Sequence, residues 1–99
     1  MKIQVDRNAA LISMSGEFTF TDHVPFKQMM DEMFAIKGNA VVLDLSKLDF
    51  IDSAGLGMLL LARDEAKKNH RELILRQPSG QVKRMFGVTK FHTLFTVEE

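Results

Sequence analysis

Ala40-Val41-Val42-Leu43-Asp44-Leu45 and, a few residues on, Phe50-Ile51-Asp52-Ser53-Ala54-Gly55-Leu56-Gly57 set the fold class. The first stretch is apolar throughout except for Asp44, the pattern of a short strand buried on both faces. In the second, an apolar pair hands over to two residues that cap helices. A helical pattern then follows to about Asn69. Leu56, Leu59, Leu60 and Ala66 share one face, and Arg63, Asp64, Lys67 and Lys68 share the other. Lys67 and Lys68 suit a helix C-terminus. Glu72 to Arg76, rich in Leu and Ile, reads as the next strand.

Towards the N-terminus, Ile3 and Val5 alternate with Lys2, Gln4 and Asp6, which predicts a strand. Arg7-Asn8 supplies turn chemistry, and Ala10 to Ser15 reads as a second strand that Gly16 ends. So short a turn predicts a hairpin. Thr21 or Asp22 is the expected cap of a helix with Pro25 in its first turn. Phe26, Met29, Met30, Met33 and Phe34 form its apolar face, and Gly38 after Lys37 is its expected terminator. The methionines are expected in the core, not on a binding surface.

Towards the C-terminus, Pro78-Ser79-Gly80 is a turn, and Val82, Met85 and Phe86 mark a short helix. Phe91, Leu94, Phe95 and Val97 form a last apolar segment that should dock on the core. This alternation predicts one α/β domain over residues 1–99, with a mixed sheet of about four to five strands packed against three to four helices.

Composition narrows the function. Thirteen basic residues balance thirteen acidic ones, so the chain lacks the electrostatic footprint of a nucleic-acid binder or a polybasic membrane patch. The expected partners are proteins or small molecules. With no cysteine, a disulfide framework, a thiolate metal site and a cysteine nucleophile are excluded. The longest apolar run, Met58 to Ala62, is far too short to span a membrane. The charged start Met1-Lys2-Ile3-Gln4-Val5-Asp6 does not read as a signal peptide. A cytoplasmic protein with no direct membrane insertion is expected. His23, His70 and His92 form no metal-ligand spacing. No phosphate-gripping loop and no nucleophile elbow is present. Neither catalysis nor a cofactor is expected. Lys83-Arg84 reads as solvated.

Asp52-Ser53 therefore carries the functional question. Either residue can cap the helix. Gly55 and Gly57 are harder to explain, since each weakens a helix by roughly 0.5–1 kcal/mol relative to alanine. They either leave backbone bare for another molecule or serve close packing of the helix on the sheet. A helix N-terminus favours an anion, and a phosphate on Ser53 would add about −1.5 to −2 charges. The fold would tolerate it, whereas a partner docked over the helix start would not.

At this point the segment Leu48-Asp49-Phe50-Ile51-Asp52-Ser53-Ala54-Gly55-Leu56-Gly57 resembles the signature of STAS domains, specifically the bacterial anti-sigma factor antagonists. Gly16-Glu17 after the second strand is similar to the family's Gly-Glu-Leu-Asp segment, and Val41 to Leu45 matches its central strand. The resemblance implies a single STAS domain that acts by partner switching. Unphosphorylated, it would bind an anti-sigma factor that is also a serine kinase of the histidine-kinase-like ATPase type. Phosphorylation of Ser53 would release it, and a metal-dependent serine phosphatase would restore it. Asp52, Ser53, Ala54, Gly55, Leu56, Gly57 and Thr19 are the implied partner-binding residues. The chain departs from the family in two places. Thr19 stands where an aspartate is common, and Ala54 where many members have a second hydroxyl, which leaves Ser53 as the one hydroxyl in the motif. The alternative is a STAS accessory subunit of a bacterial ABC lipid-transport system, with no phosphate cycle.

Overall fold

A computed structural model describes residues 1–35, 38 and 40–99, and among these it forms five strands and three α-helices. In chain order these are β1 (Lys2–Asp6), β2 (Leu11–Phe18), α1 (His23–Ala35), β3 (Ala40–Ile51), α2 (Ser53–Lys68), β4 (Glu72–Arg76), α3 (Gly80–Thr89) and β5 (Thr96–Glu98). Short 3-10 turns at Phe20–Asp22 and Phe91–Thr93 precede α1 and β5. The sheet order is β1-β2-β3-β4-β5. β1 pairs with β2 antiparallel, and every other neighbouring pair is parallel. The mixed α/β sheet is thus the one the alternation predicts.

Each parallel connection carries a helix and steps to the next strand in the same direction. Right-handed crossovers then place all three helices on one face of the sheet. Burial follows that division. Ile12, Met14, Val41, Leu43, Leu45, Leu73 and Leu75 turn inward and are buried, whereas Ser13, Val42, Asp44, Ile74 and Arg76 between them are half-buried. The helices contribute Phe26, Met29, Met30, Met33, Leu59, Ala62, Val82 and Phe86 to the same core. Phe18 packs on Phe26 with ring centroids 4.8 Å apart.

Several boundaries differ from expectation. The hairpin turn runs from Arg7 to Ala10, not over Arg7-Asn8 alone. The Asp6 carboxylate accepts from the backbone N–H groups of Asn8 (3.1 Å) and Ala9 (3.2 Å), which closes the wider turn. Gly16, at φ 88°, bends β2 without ending it. The strand continues to Phe18, with register irregularities beside β3. Neither Thr21 nor Asp22 is the cap before α1. Thr19 takes the N-cap position of the 3-10 turn, and its N–H donates to the Asp22 carboxylate at 2.9 Å. Of the expected α1 terminator, Gly38 is described, while Lys37 lies outside the described residues.

β3 is twice the length its apolar run predicts. Its first half, Ala40–Asp44, pairs with β4. Its second half pairs with β2 through Lys47, Leu48, Phe50 and Ile51. At the C-terminus the stacked rings of Phe86, Phe91 and Phe95, with centroids 5.1 Å apart at each step, tie the last segment to α3. Leu94 does not join them: it is exposed, and Thr96–Glu98 adds the fifth strand.

Candidate functional site

The site forms where β3 ends and α2 begins. Asp52 is extended (φ −96°, ψ 179°) and caps α2: its carboxylate accepts from Gly55 N–H at 2.7 Å. The other carboxylate oxygen accepts from Phe20 N–H at 3.3 Å. One side chain thus holds two helical N-termini together, and it brings the Thr19-Phe20 segment beside Ser53. Thr19 itself is half-buried, with its hydroxyl 2.9 Å from that of Thr21.

Because Asp52 does the capping, Ser53 is free of that duty. It occupies the first helical position and is exposed. The anion-binding capacity of this helix start is partly used. Asp52 N–H donates to Phe18 O at 3.2 Å, and Gly55 N–H to the Asp52 carboxylate. Of the four N–H groups that a helix start leaves unpaired, those of Ser53 and Ala54 remain for a phosphate. The phosphate would also stand beside the Asp52 carboxylate.

The two glycines separate into different roles. A Cβ on Gly55 would lie 2.7 Å from both Ile51 Cγ1 and Phe18 O, closer than atoms can pack. Gly55 is buried, so it serves the packing of α2 on the ends of β2 and β3. Leu56 is likewise buried, which puts both residues behind the surface a partner would touch. At Gly57 nothing lies within 4 Å of an added Cβ, and Ala54 beside it is half-buried. Ser53, Ala54 and Gly57 are the members of the segment that face outward.

Next to them lies an apolar surface that no periodicity in the chain foretells. Phe20, Val24 and Leu61 are 69%, 62% and 59% exposed. Phe20, His23, Ala54, Gly57, Met58 and Leu61 line an open hollow of about 490 Å³. Leu61 falls on the side of α2 opposite its buried residues, and Phe20 belongs to a turn that reads as loop. Gln81 also supports the site. From α3 its side-chain amide donates to Ile51 O and accepts from Ile51 N–H, both at 2.9 Å, and so fixes the strand end immediately before Asp52. A lone glutamine after Ser79-Gly80 carries no pattern that would reveal this. Lys83 and Arg84 are exposed on α3, and Lys83 pairs with Glu99 at 3.7 Å.

Comparison with known proteins places this geometry. The STAS domain family model matches residues 1–99. A STAS-domain containing protein of Pseudomonas aeruginosa is 32% identical over 92 residues, which cover 93% of this chain and 90% of the relative. An anti-sigma factor antagonist from Mycobacterium paratuberculosis superposes with a TM-score of 0.84 at 21% identity, over 98% of this chain and 84% of that one. The anti-sigma factor antagonist SpoIIAA in its unphosphorylated form superposes with a TM-score of 0.72 at 20% identity, over 99% of this chain and 86% of its own. The two superpositions speak for the fold; the match along the whole sequence, with the Asp52-Ser53 helix start at its centre, assigns the chain to the STAS domain family.

Proposed function

We propose that the protein is an anti-sigma factor antagonist whose binding is switched off by phosphorylation of Ser53. The observation that carries this reading is the position of Ser53. An exposed hydroxyl, not needed as a cap, stands at the edge of the apolar surface of Phe20, Val24, Leu61 and Gly57. Exposed apolar side chains grouped in this way suit the anchoring of a partner. A phosphate at its rim would introduce about −1.5 to −2 charges there. Two helix-start N–H groups and the helix dipole make that charge tolerable to the fold, while the nearby Asp52 carboxylate directs it outward. The cost then falls on the docked partner, which would have to desolvate a dianion.

The partner is an anti-sigma factor with serine kinase activity, and a serine phosphatase returns the protein to its binding form. SpoIIAA, an anti-sigma factor antagonist of the same fold that has an unphosphorylated form, supports a phosphorylation switch here. The test is incubation with the cognate kinase and ATP, followed by mass spectrometry and a binding assay. One phosphate on Ser53 is expected, and Ser53→Asp should bind the kinase about tenfold or more weakly than wild type. No phosphate on Ser53, or equal binding by Ser53→Asp, refutes the proposal. Recovery of a transporter ATPase subunit in place of a kinase would favour the accessory-subunit role.

A further inference from the structure

The sheet has two edges, and they are built differently. β5 is three residues long, and an edge so short offers little to pair with. β1 is five residues long and pairs with β2 without a register shift. Among the described residues it has no neighbour on its other side. Its backbone therefore presents a regular row of free N–H and C=O groups. Proline or a bulge commonly blunts such an edge. β1 has neither, and carries instead two charged side chains, Lys2 and Asp6.

Those two charges are the informative feature. They are of opposite sign and stand symmetrically about Gln4, with Ile3 and Val5 between. Ile3 lies opposite Met14 and Val5 opposite Ile12, both buried, so Ile3 and Val5 belong to the core side of the sheet. Lys2, Gln4 and Asp6, opposite Ser15, Ser13 and Leu11, belong to the side without helices. Val5 is nonetheless 39% exposed, because its flank away from β2 is open. α1 runs along β1 without closing that flank. The Met1 nitrogen lies 3.6 Å from the Asp22 carboxylate just before the helix, and Arg7 Nη2 lies 3.3 Å from the Glu32 carboxylate near its end. The charges at the two ends of β1 are thus paired within the chain. Asp6 accepts hydrogen bonds from its own turn through one carboxylate oxygen, which leaves the other.

A bland account makes Lys2 and Asp6 a solvated fringe that keeps the edge single. Two like charges would do that. Opposite charges placed evenly about a central residue do the reverse when two such strands meet antiparallel.

We propose that β1 pairs antiparallel with β1 of a second copy of this chain, about a two-fold axis at Gln4. Lys2 of each copy then stands opposite Asp6 of the other on one face, and Ile3 opposite Val5 on the other face. Every contact is made twice, as a two-fold interface requires, and opposite-charge and apolar pairs across strands stabilise a sheet. A register centred on Ile3 or Val5 would put one charge opposite Gln4 and the other beyond the strand's end, so the charges select the Gln4 centre. The two sheets become one, with the helices of both copies on the same face. Five residues from each copy bury less than the roughly 800 Å² per partner of a standard interface, so association is weak, with a Kd of about 10–100 μM. The pairing rests on no reading of Ser53.

The test is sedimentation velocity on the full chain, free of any tag, from about 5 μM to 1 mM, a range that brackets this Kd. The mean mass should climb from the 11.2 kDa of one chain towards twice that value. Lys2→Asp, at an exposed position, sets like charges across the axis twice and should raise the Kd about tenfold or more. Asp6→Lys should do the same. An equimolar mixture of the two variants should associate again, because each then meets opposite charges in the other. Arg84→Gln, exposed on α3, should leave the Kd unchanged. A chain that stays monomeric throughout, a dimer that Lys2→Asp leaves intact, or two variants with native circular dichroism that remain apart when mixed would each overturn the proposal.

Discussion

Replacing Gly55 by alanine puts the packing of the α2 start to a quantitative test. In a free helix the change would help, by about 0.5–1 kcal/mol. Here the new methyl would meet Ile51 Cγ1 and Phe18 O, each at 2.7 Å. The Ile51 side chain is fully buried and has little room to yield. The Phe18 carbonyl accepts from Asp52 N–H at 3.2 Å, so moving it loosens the capping residue as well. Overpacking of this kind costs about 1–3 kcal/mol. Two contacts at 2.7 Å, one on backbone, put the cost in the upper part of that range, about 2–3 kcal/mol, so after the helix gain Gly55→Ala should lose about 1–2.5 kcal/mol, a fall in Tm of about 5–20 °C for a domain of this size. Gly57→Ala is the internal control. Nothing lies within 4 Å of its Cβ, so it should gain about 0.5–1 kcal/mol. Both substitutions replace glycine with alanine in the same helix, so their effects on the unfolded chain largely cancel. Urea unfolding followed by far-UV circular dichroism gives both midpoints. A Gly55→Ala variant as stable as wild type, or a Gly57→Ala variant that falls with it, refutes the packing assignment.

Other substitutions probe the remaining parts. Asp52→Ala removes the acceptor for both Gly55 and Phe20 N–H and should cost about 1–2 kcal/mol in the same unfolding assay. Gln81→Leu strips both backbone partners from Ile51 and should cost about 1–3 kcal/mol. Ser53→Asp, on an exposed side chain, should leave stability within about 0.5 kcal/mol of wild type, so any loss of partner binding reads as a surface effect. Phe20→Ala should likewise leave the melting temperature nearly unchanged while weakening the proposed partner complex by about 1 kcal/mol or more, measured by calorimetry.

The order of elements was legible because each carries its own period. α2 starts at Ser53 as the capping residues require, and β4 spans Glu72 to Arg76 as its Leu and Ile predict. Boundaries set by distant residues were not. Gly16 reads as a stop, yet β3 supplies pairing that carries β2 through to Phe18. Ser46-Lys47 interrupts the apolar run of β3, yet β2 on its flank keeps the strand going to Ile51. At the site, the choice between the two uses of glycine required knowing what stands opposite each Cβ. The sequence has no record of Phe18 O lying over Gly55. The role of Asp52 as a link between two helix starts depends on Phe20, thirty-two positions away.

The unequal flanking of β3 has a mechanical consequence. Its first half is clasped between β2 and β4, but past Asp44 the pairing with β4 stops. The stretch from Lys47 to Ile51 projects as a cantilever, secured by β2 along one side and by the Gln81 clamp at its tip. A load applied at Ser53 reaches the sheet along this stretch through those fastenings, and otherwise through α2 and the Asp52 bonds to Phe18 and Phe20. The tip can therefore open while the clasped half of the sheet stays closed, and its amides should exchange with solvent deuterium sooner than those of Val41 and Leu43.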